Sequence, residues 1–168
     1  HRNGGRFLTQ ITIEYMIMAP VLIMMIFLLP FTANLIMNGW ADSRMTLSLQ
    51  ETSGYLGSSI EQFYSSLSHE SVKAGIIKNE LDTPPFIEGF AYSGNATLSP
   101  VSETALSSSK VLHLTLSFIG SKITTTTSVI LGSNAQWTPS TFMSNSTGNC
   151  LNAEKMSNGT IRFWFGED

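Results

Sequence analysis

One carboxylate in this chain stands where a carboxylate is expensive. Glu14 lies near the start of residues 11–40, ITIEYMIMAPVLIMMIFLLPFTANLIMNGW, and residues 15–40 carry no charged side chain. A run this apolar passes the threshold of about 18 to 20 residues for a membrane-crossing helix. An acid at the head of such a run is costly in lipid and calls for a partner. Removing the partner of a buried ion pair costs roughly 3 to 5 kcal/mol, so such a pair can hold helices in register. Within one helix the cation Arg6 is eight residues away, about 12 Å along the axis, so pairing inside one chain is not expected. The simpler reading is that Glu14 reaches the headgroup region and meets solvent.

The other reactive residue types are dispersed. His1, His69 and His113 are far apart in sequence, and Cys150 is the only cysteine. An intramolecular disulfide is therefore impossible, and Cys/His zinc spacing is absent. Cys150 reads as a small semi-buried residue, with a reactive or cross-linking thiol as the alternative. The acid pairs Glu80 with Asp82 and Glu167 with Asp168 read as solvated charge near turns and ends. There is no P-loop, G-x-S-x-G, H-E-x-x-H or EF-hand pattern. The expectation is a protein that is not an enzyme, with no metal and no cofactor. Asn95-Ala-Thr97, Asn145-Ser-Thr147 and Asn158-Gly-Thr160 match the N-glycosylation acceptor pattern.

Composition narrows the class. Charged residues make up 12% of 168, and the net charge is −3. That charged share is about half the usual level of about 25%. The few Lys and Arg residues are scattered, so nucleic-acid binding has no electrostatic support. Outside the apolar block Ser, Thr, Asn and Gly replace charges, which suits a surface packed against copies of itself. The block is too long for a secretory signal core, and no A-x-A site follows it. His1, Arg2 and Arg6 precede it, whereas Asp42 and Arg44 cancel after it. The positive-inside rule places the N-terminus in the cytoplasm and residues 41–168 outside, the side on which all three acceptor patterns lie. Pro20 and Pro30 lie inside the helical run, where each removes a backbone hydrogen bond and can kink the helix. A helix over residues 7–40 would span roughly 50 Å, against about 30 Å of hydrocarbon.

The elements that follow divide the chain into residues 1–52, an apolar helix; 53–83, an amphipathic helical segment; and 84–168, a β-rich outer head. Leu47, Leu56, Ile60, Phe63, Leu67 and Val72 fall on one helical face. Gly54 and Gly57 predict a break near 53–57. Residues 75–85 read as the helix exit, closed by Pro84-Pro85. Strands are expected over 86–98, 110–119, 122–131 and 159–165. Leu112, Leu114, Leu116 and Phe118 share one face, with His113 on the other. Gly120-Ser121 predicts a two-residue hairpin turn. Residues 133–158 read as long loops with one short strand. The fold class is α+β, a long N-terminal hydrophobic helix followed by an antiparallel β-rich globular head.

The run Gln10-Ile11-Thr12-Ile13-Glu14-Tyr15, preceded by Gly4-Gly5-Arg6 and followed by the apolar helix, resembles the type IV pilin superfamily, in particular archaeal type IV-like pilins. Residues 14–22, EYMIMAPVL, are also similar to the opening of tight-adherence minor pilins. The resemblance covers roughly residues 5–45. It implies a ladle-shaped subunit, held as a precursor in the cytoplasmic membrane. A prepilin peptidase would trim the subunit, and an assembly ATPase and platform protein would extract it. It would then pack with copies of itself into an extracellular filament serving adhesion. It implies that Glu14 neutralises the N-terminal amine of a neighbouring subunit. Cleavage before Gln10 would remove residues 1–9. With processing upstream of His1 instead, Arg6 of an adjacent subunit becomes the candidate partner. The alternatives are a minor or accessory pilin, or a single-pass membrane protein whose outer β-domain binds a ligand.

Overall fold

A computed structural model describes residues 4–101 and 109–166, with side chains from Glu14 onward. Its elements are one helix, α1 (Gly4–Ser68), and eight strands. These are β1 (Gly75–Glu80), β2 (Tyr92–Pro100), β3 (Lys110–Phe118), β4 (Thr124–Leu131), β5 (Ala135–Trp137), β6 (Thr141–Met143), β7 (Cys150–Lys155) and β8 (Ile161–Gly166). The chain divides into two compact units, His1–Ser43 and Arg44–Asp168. A long apolar helix followed by a globular, mostly antiparallel β domain is the α+β class read from the sequence.

In the first unit every side chain from Glu14 to Arg44's predecessor is exposed. Pro20 and Pro30 interrupt the amide ladder but not the helix, which continues through both. The Thr32 hydroxyl donates to the carbonyls of Leu28 and Leu29 at 2.9 and 3.0 Å, so this polar group is satisfied inside its own helix.

The second unit folds around the last third of α1. Leu49, Ser53, Leu56, Ile60 and Leu67 are buried there, at the alternating three- and four-residue spacing of one helical face. Leu47 departs from the expected stripe: it is exposed, and Leu49 takes the core position. The expected break at residues 53–57 is absent. Gly57 is a contact and not a hinge: a Cβ there would lie 3.1 Å from Val129 Cγ2 and 3.3 Å from Thr127 Cγ2. The helix thus comes close to β4, and Ser53 Oγ donates to Thr127 Oγ1 beside it.

Two four-stranded sheets complete the unit, ordered β1-β7-β8-β5 and β4-β3-β2-β6. All pairings are antiparallel except β5 with β8. In β3 Leu112, Leu114, Leu116 and Phe118 are buried and the alternate residues are not, as period-two reading requires. Aromatic rings join the sheets: Tyr92 meets Phe142 at 6.3 Å, Phe142 meets Phe165 at 4.8 Å, and Phe165 meets Trp137 at 5.0 Å, all edge to face. Gly94 makes room for this contact, since a Cβ there would fall 2.6 Å from Leu116 Cδ2 and closer still to Phe142.

Several boundaries differ from the sequence reading. Helix ends at Ser68, and residues 75–80, expected as helix exit, form β1 on the edge of a sheet. The segment read as loop over 133–158 holds β5, β6 and β7. Two of these strands have three residues, too few to show a period, and β7 is buried on both faces, so its run Cys-Leu-Asn-Ala has no alternation. The β3–β4 hairpin has a four-residue loop: Ser117 pairs with Thr124, and Phe118 N–H donates to Ile123 O at 3.3 Å.

Candidate assembly helix and head surface

The residues that α1 carries toward solvent are those the sequence marks as costly there. Eighteen large hydrophobic side chains between Tyr15 and Trp40 are more than half exposed. They point in every direction around the helix, because no polar face is left over in residues 15–40. Full burial of such side chains is worth about 1.5 to 3 kcal/mol each, so this surface represents on the order of tens of kcal/mol in water. A helix apolar on all sides belongs in lipid or in a helix bundle. By length and composition it can cross a membrane. Glu14 is exposed on this helix and lines a shallow depression with Tyr15, Met18, Ala19 and Leu22. The side chain of Arg6 lies outside the described residues, so the chain shows one member of the expected register pair.

The head presents a different chemistry. The outward side of the sheet β4-β3-β2-β6 is a field of hydroxyls. Thr115 bonds Thr126 at 3.1 Å, Ser93 bonds Ser117 at 3.2 Å, and His113 Nδ1 meets Ser128 Oγ at 3.0 Å. Cross-strand register sets these pairs: His113 stands opposite Ser128 and Thr115 opposite Thr126. His113 is therefore a sheet-surface residue, and His69 pairs with Ser71 at 3.0 Å. Asn95 lies exposed on the same face of β2, beside Thr141 of β6. Asn145 and Asn158 are exposed in the turns after β6 and β7. Asn158 Oδ1 accepts the Thr160 amide at 3.0 Å, closing a local turn.

Cys150 is buried at the start of β7, opposite Glu80 and Gly166. Glu80 and Asp82 are exposed, whereas Glu167, Asp168 and His1 lie outside the described residues. Among the described residues no group of three or more His, Cys, Asp or Glu is placed to hold a metal ion. A groove of about 490 Å³ runs between α1 and the loop before β2, lined by Glu51, Tyr55, Asp82 and Glu88 among others.

The loop before β2 is held firmly, which sequence reading missed. Tyr92 is fully buried and its hydroxyl donates to Pro84 O at 2.8 Å. Burial raises the Tyr92 pKa above its ordinary value, and a hydrogen bond with Thr83 opposes the rise. Ser144 Oγ donates to Pro85 O at 2.7 Å and accepts the Tyr92 amide at 2.9 Å. Beyond these anchors Ile87 and Phe90 exchange both backbone hydrogen bonds, at 3.0 and 2.9 Å. The two residues between them have positive φ, 50° at Glu88 and 83° at Gly89. This is the I′ hairpin pattern, easy for Gly and strained for Glu. The Glu88 carboxylate meets Arg44 Nη2 of α1 at 3.1 Å. A Gly preceded by an acid was the one available signal for this turn.

No family model matches the chain, and no curated protein or solved structure matches it either.

Proposed function

We propose that this chain is a structural subunit of an extracellular type IV-like pilus, the major pilin, polymerising through its N-terminal helices and serving surface adhesion. The observation that carries this reading is the exposed apolar surface around α1 from Tyr15 to Trp40. Such a helix needs an apolar environment on every side, and copies of itself supply one as well as lipid does. The apolar run exceeds what a bilayer needs, and it opens on Glu14, an acid that a bundle can use for register. The resemblance at residues 5–45 adds the route. The precursor sits in the cytoplasmic membrane with its N-terminus inside. A prepilin peptidase, an assembly ATPase and a platform protein then deliver it to the filament, with the head as its outer coat. Asn95, Asn145 and Asn158 are the proposed glycan acceptors on that coat.

A second reading is a minor pilin, or a single-pass membrane protein with an extracellular β-domain. The membrane-crossing length of α1 supports it equally. Electron microscopy of sheared surface material and of the purified protein separates the two. A helical polymer with an α-helical core supports the pilin, and discrete detergent-bound monomers overturn it.

A further inference from the structure

The turn at residues 86–90 is built as a rigid projection with apolar tips. Phe86 is 53% and Phe90 45% exposed, and Ile119 of the neighbouring β3–β4 loop is 45% exposed. The Ile119 amide donates to Ala91 O at 3.0 Å, which sets that loop beside the turn. These side chains are not solvent-facing because the segment is loose. Buried Tyr92 and Ser144 clamp the carbonyls of Pro84 and Pro85, Phe90 packs edge to face on Phe118 at 6.2 Å, and Arg44 holds Glu88. A primed two-residue turn with a strained Glu presents the two phenyl rings outward.

The place of this projection in the head says what covers it. In sequence the apolar run ends at Trp40 and the first charges follow at Asp42 and Arg44, so this is where the chain leaves hydrocarbon. Glu88 is bonded to Arg44 itself. The opposite end of the head is marked by Lys155 Nζ donating to His69 O at 3.1 Å, next to the turn that carries Asn158. Arg44 and Ser68 are about 36 Å apart along the helix axis. Exposed aromatic side chains beside the residues that follow an apolar run are of the kind that settles at a bilayer interface.

We propose that Phe86, Phe90 and Ile119 form an interfacial foot that rests the head on the outer surface of the membrane crossed by α1. The foot takes phospholipid at the headgroup–acyl boundary. This inference rests on the reading that α1 spans a bilayer.

The full chain, with Cys150→Ala, is reconstituted in phosphatidylcholine vesicles containing an anionic phospholipid. An environment-sensitive fluorophore is placed by Met25→Cys, Phe86→Cys or Asn158→Cys, one at a time, and quenched by phosphatidylcholine brominated near the top of its acyl chains. Circular dichroism confirms that each variant keeps its fold. The expected result is strong quenching at residue 25, quenching at 86 several-fold above that at 158, and loss of the signal at 86 when Phe90→Ser and Ile119→Ser are added. Quenching at 25 without quenching at 86 overturns the foot and leaves the membrane-spanning reading standing. Absence of quenching at 25 overturns the spanning reading and the foot with it. A label at 86 shielded from aqueous iodide but untouched by bromolipid assigns the surface to a second copy of the chain and also overturns the foot.

Discussion

Replacing Gly54 and Gly57, one turn apart on α1, by alanine tests how the helix is held on the head. Each substitution removes a helical glycine, which by propensity alone stabilises by about 1 kcal/mol. Gly54 has nothing within 4 Å of the position a Cβ would take, so Gly54→Ala is expected to deliver most of that gain. At Gly57 the same methyl arrives 3.1 Å from Val129 Cγ2 and 3.3 Å from Thr127 Cγ2, with Val129 itself buried. Neither neighbour is a flexible chain end, and Thr127 is also tied to Ser53. Overpacking of this kind costs about 1 to 3 kcal/mol. Gly57→Ala is therefore expected to be neutral or destabilising, and Gly57→Leu to lose stability outright. Urea titration of the detergent-solubilised chain carrying Trp40→Phe, followed by near-ultraviolet circular dichroism in the tryptophan band, reports on Trp137 and Trp164 of the head. Equal stabilisation by Gly54→Ala and Gly57→Ala would refute the close approach of α1 to β4.

Three further outcomes are expected. Tyr92 has its pKa raised by burial, so its folded form holds the proton more tightly than the unfolded chain. Its contribution is full below the ordinary tyrosine range and is lost as pH rises through that range toward the folded value. Tyr92→Phe should therefore weaken the fold at neutral pH by loss of the Pro84 bond, yet show a shallower loss of stability above about pH 10. A wild-type slope there no steeper than that of the variant would count against the buried hydroxyl. Glu14→Gln and Glu14→Ala should each reduce the number of surface filaments, and normal counts would remove the register role. Asn95, Asn145 and Asn158 should carry glycans on protein from the native surface, and an intact mass equal to the bare chain would rule this out.

On the proposed function, lipid would cover the apolar helix and the foot in the precursor, and copies of the chain would replace lipid around the helix in the filament. The polar hydroxyl face of β2, β3 and β4 has no such need, since its Ser and Thr side chains bond one another across the strands.

Much of this protein was legible in its sequence because the signals were local. An uncharged run of residues 15–40 dictates an apolar helix whatever follows it. The alternation through Leu112, Leu114, Leu116 and Phe118 dictates a half-buried strand, whereas the strand expected over 86–98 after Pro84-Pro85 starts only at Tyr92, behind the turn at Glu88-Gly89. Tertiary structure decided what local signals could not carry. Gly57 reads as a break by propensity, yet it is where α1 meets Val129, because a missing side chain lets two backbones approach. Leu47 and Leu49 are equally apolar, and only the direction of the docking face buries Leu49. The strands β5 and β6 exist through their partners, β8 and β2, since three residues carry no period of their own. The strained turn at Glu88 is flanked by the Arg44 ion pair and by the loop that Ser144 anchors at Pro85, and the separation of Arg44 and Ser144 from it along the chain hides both from any window of sequence.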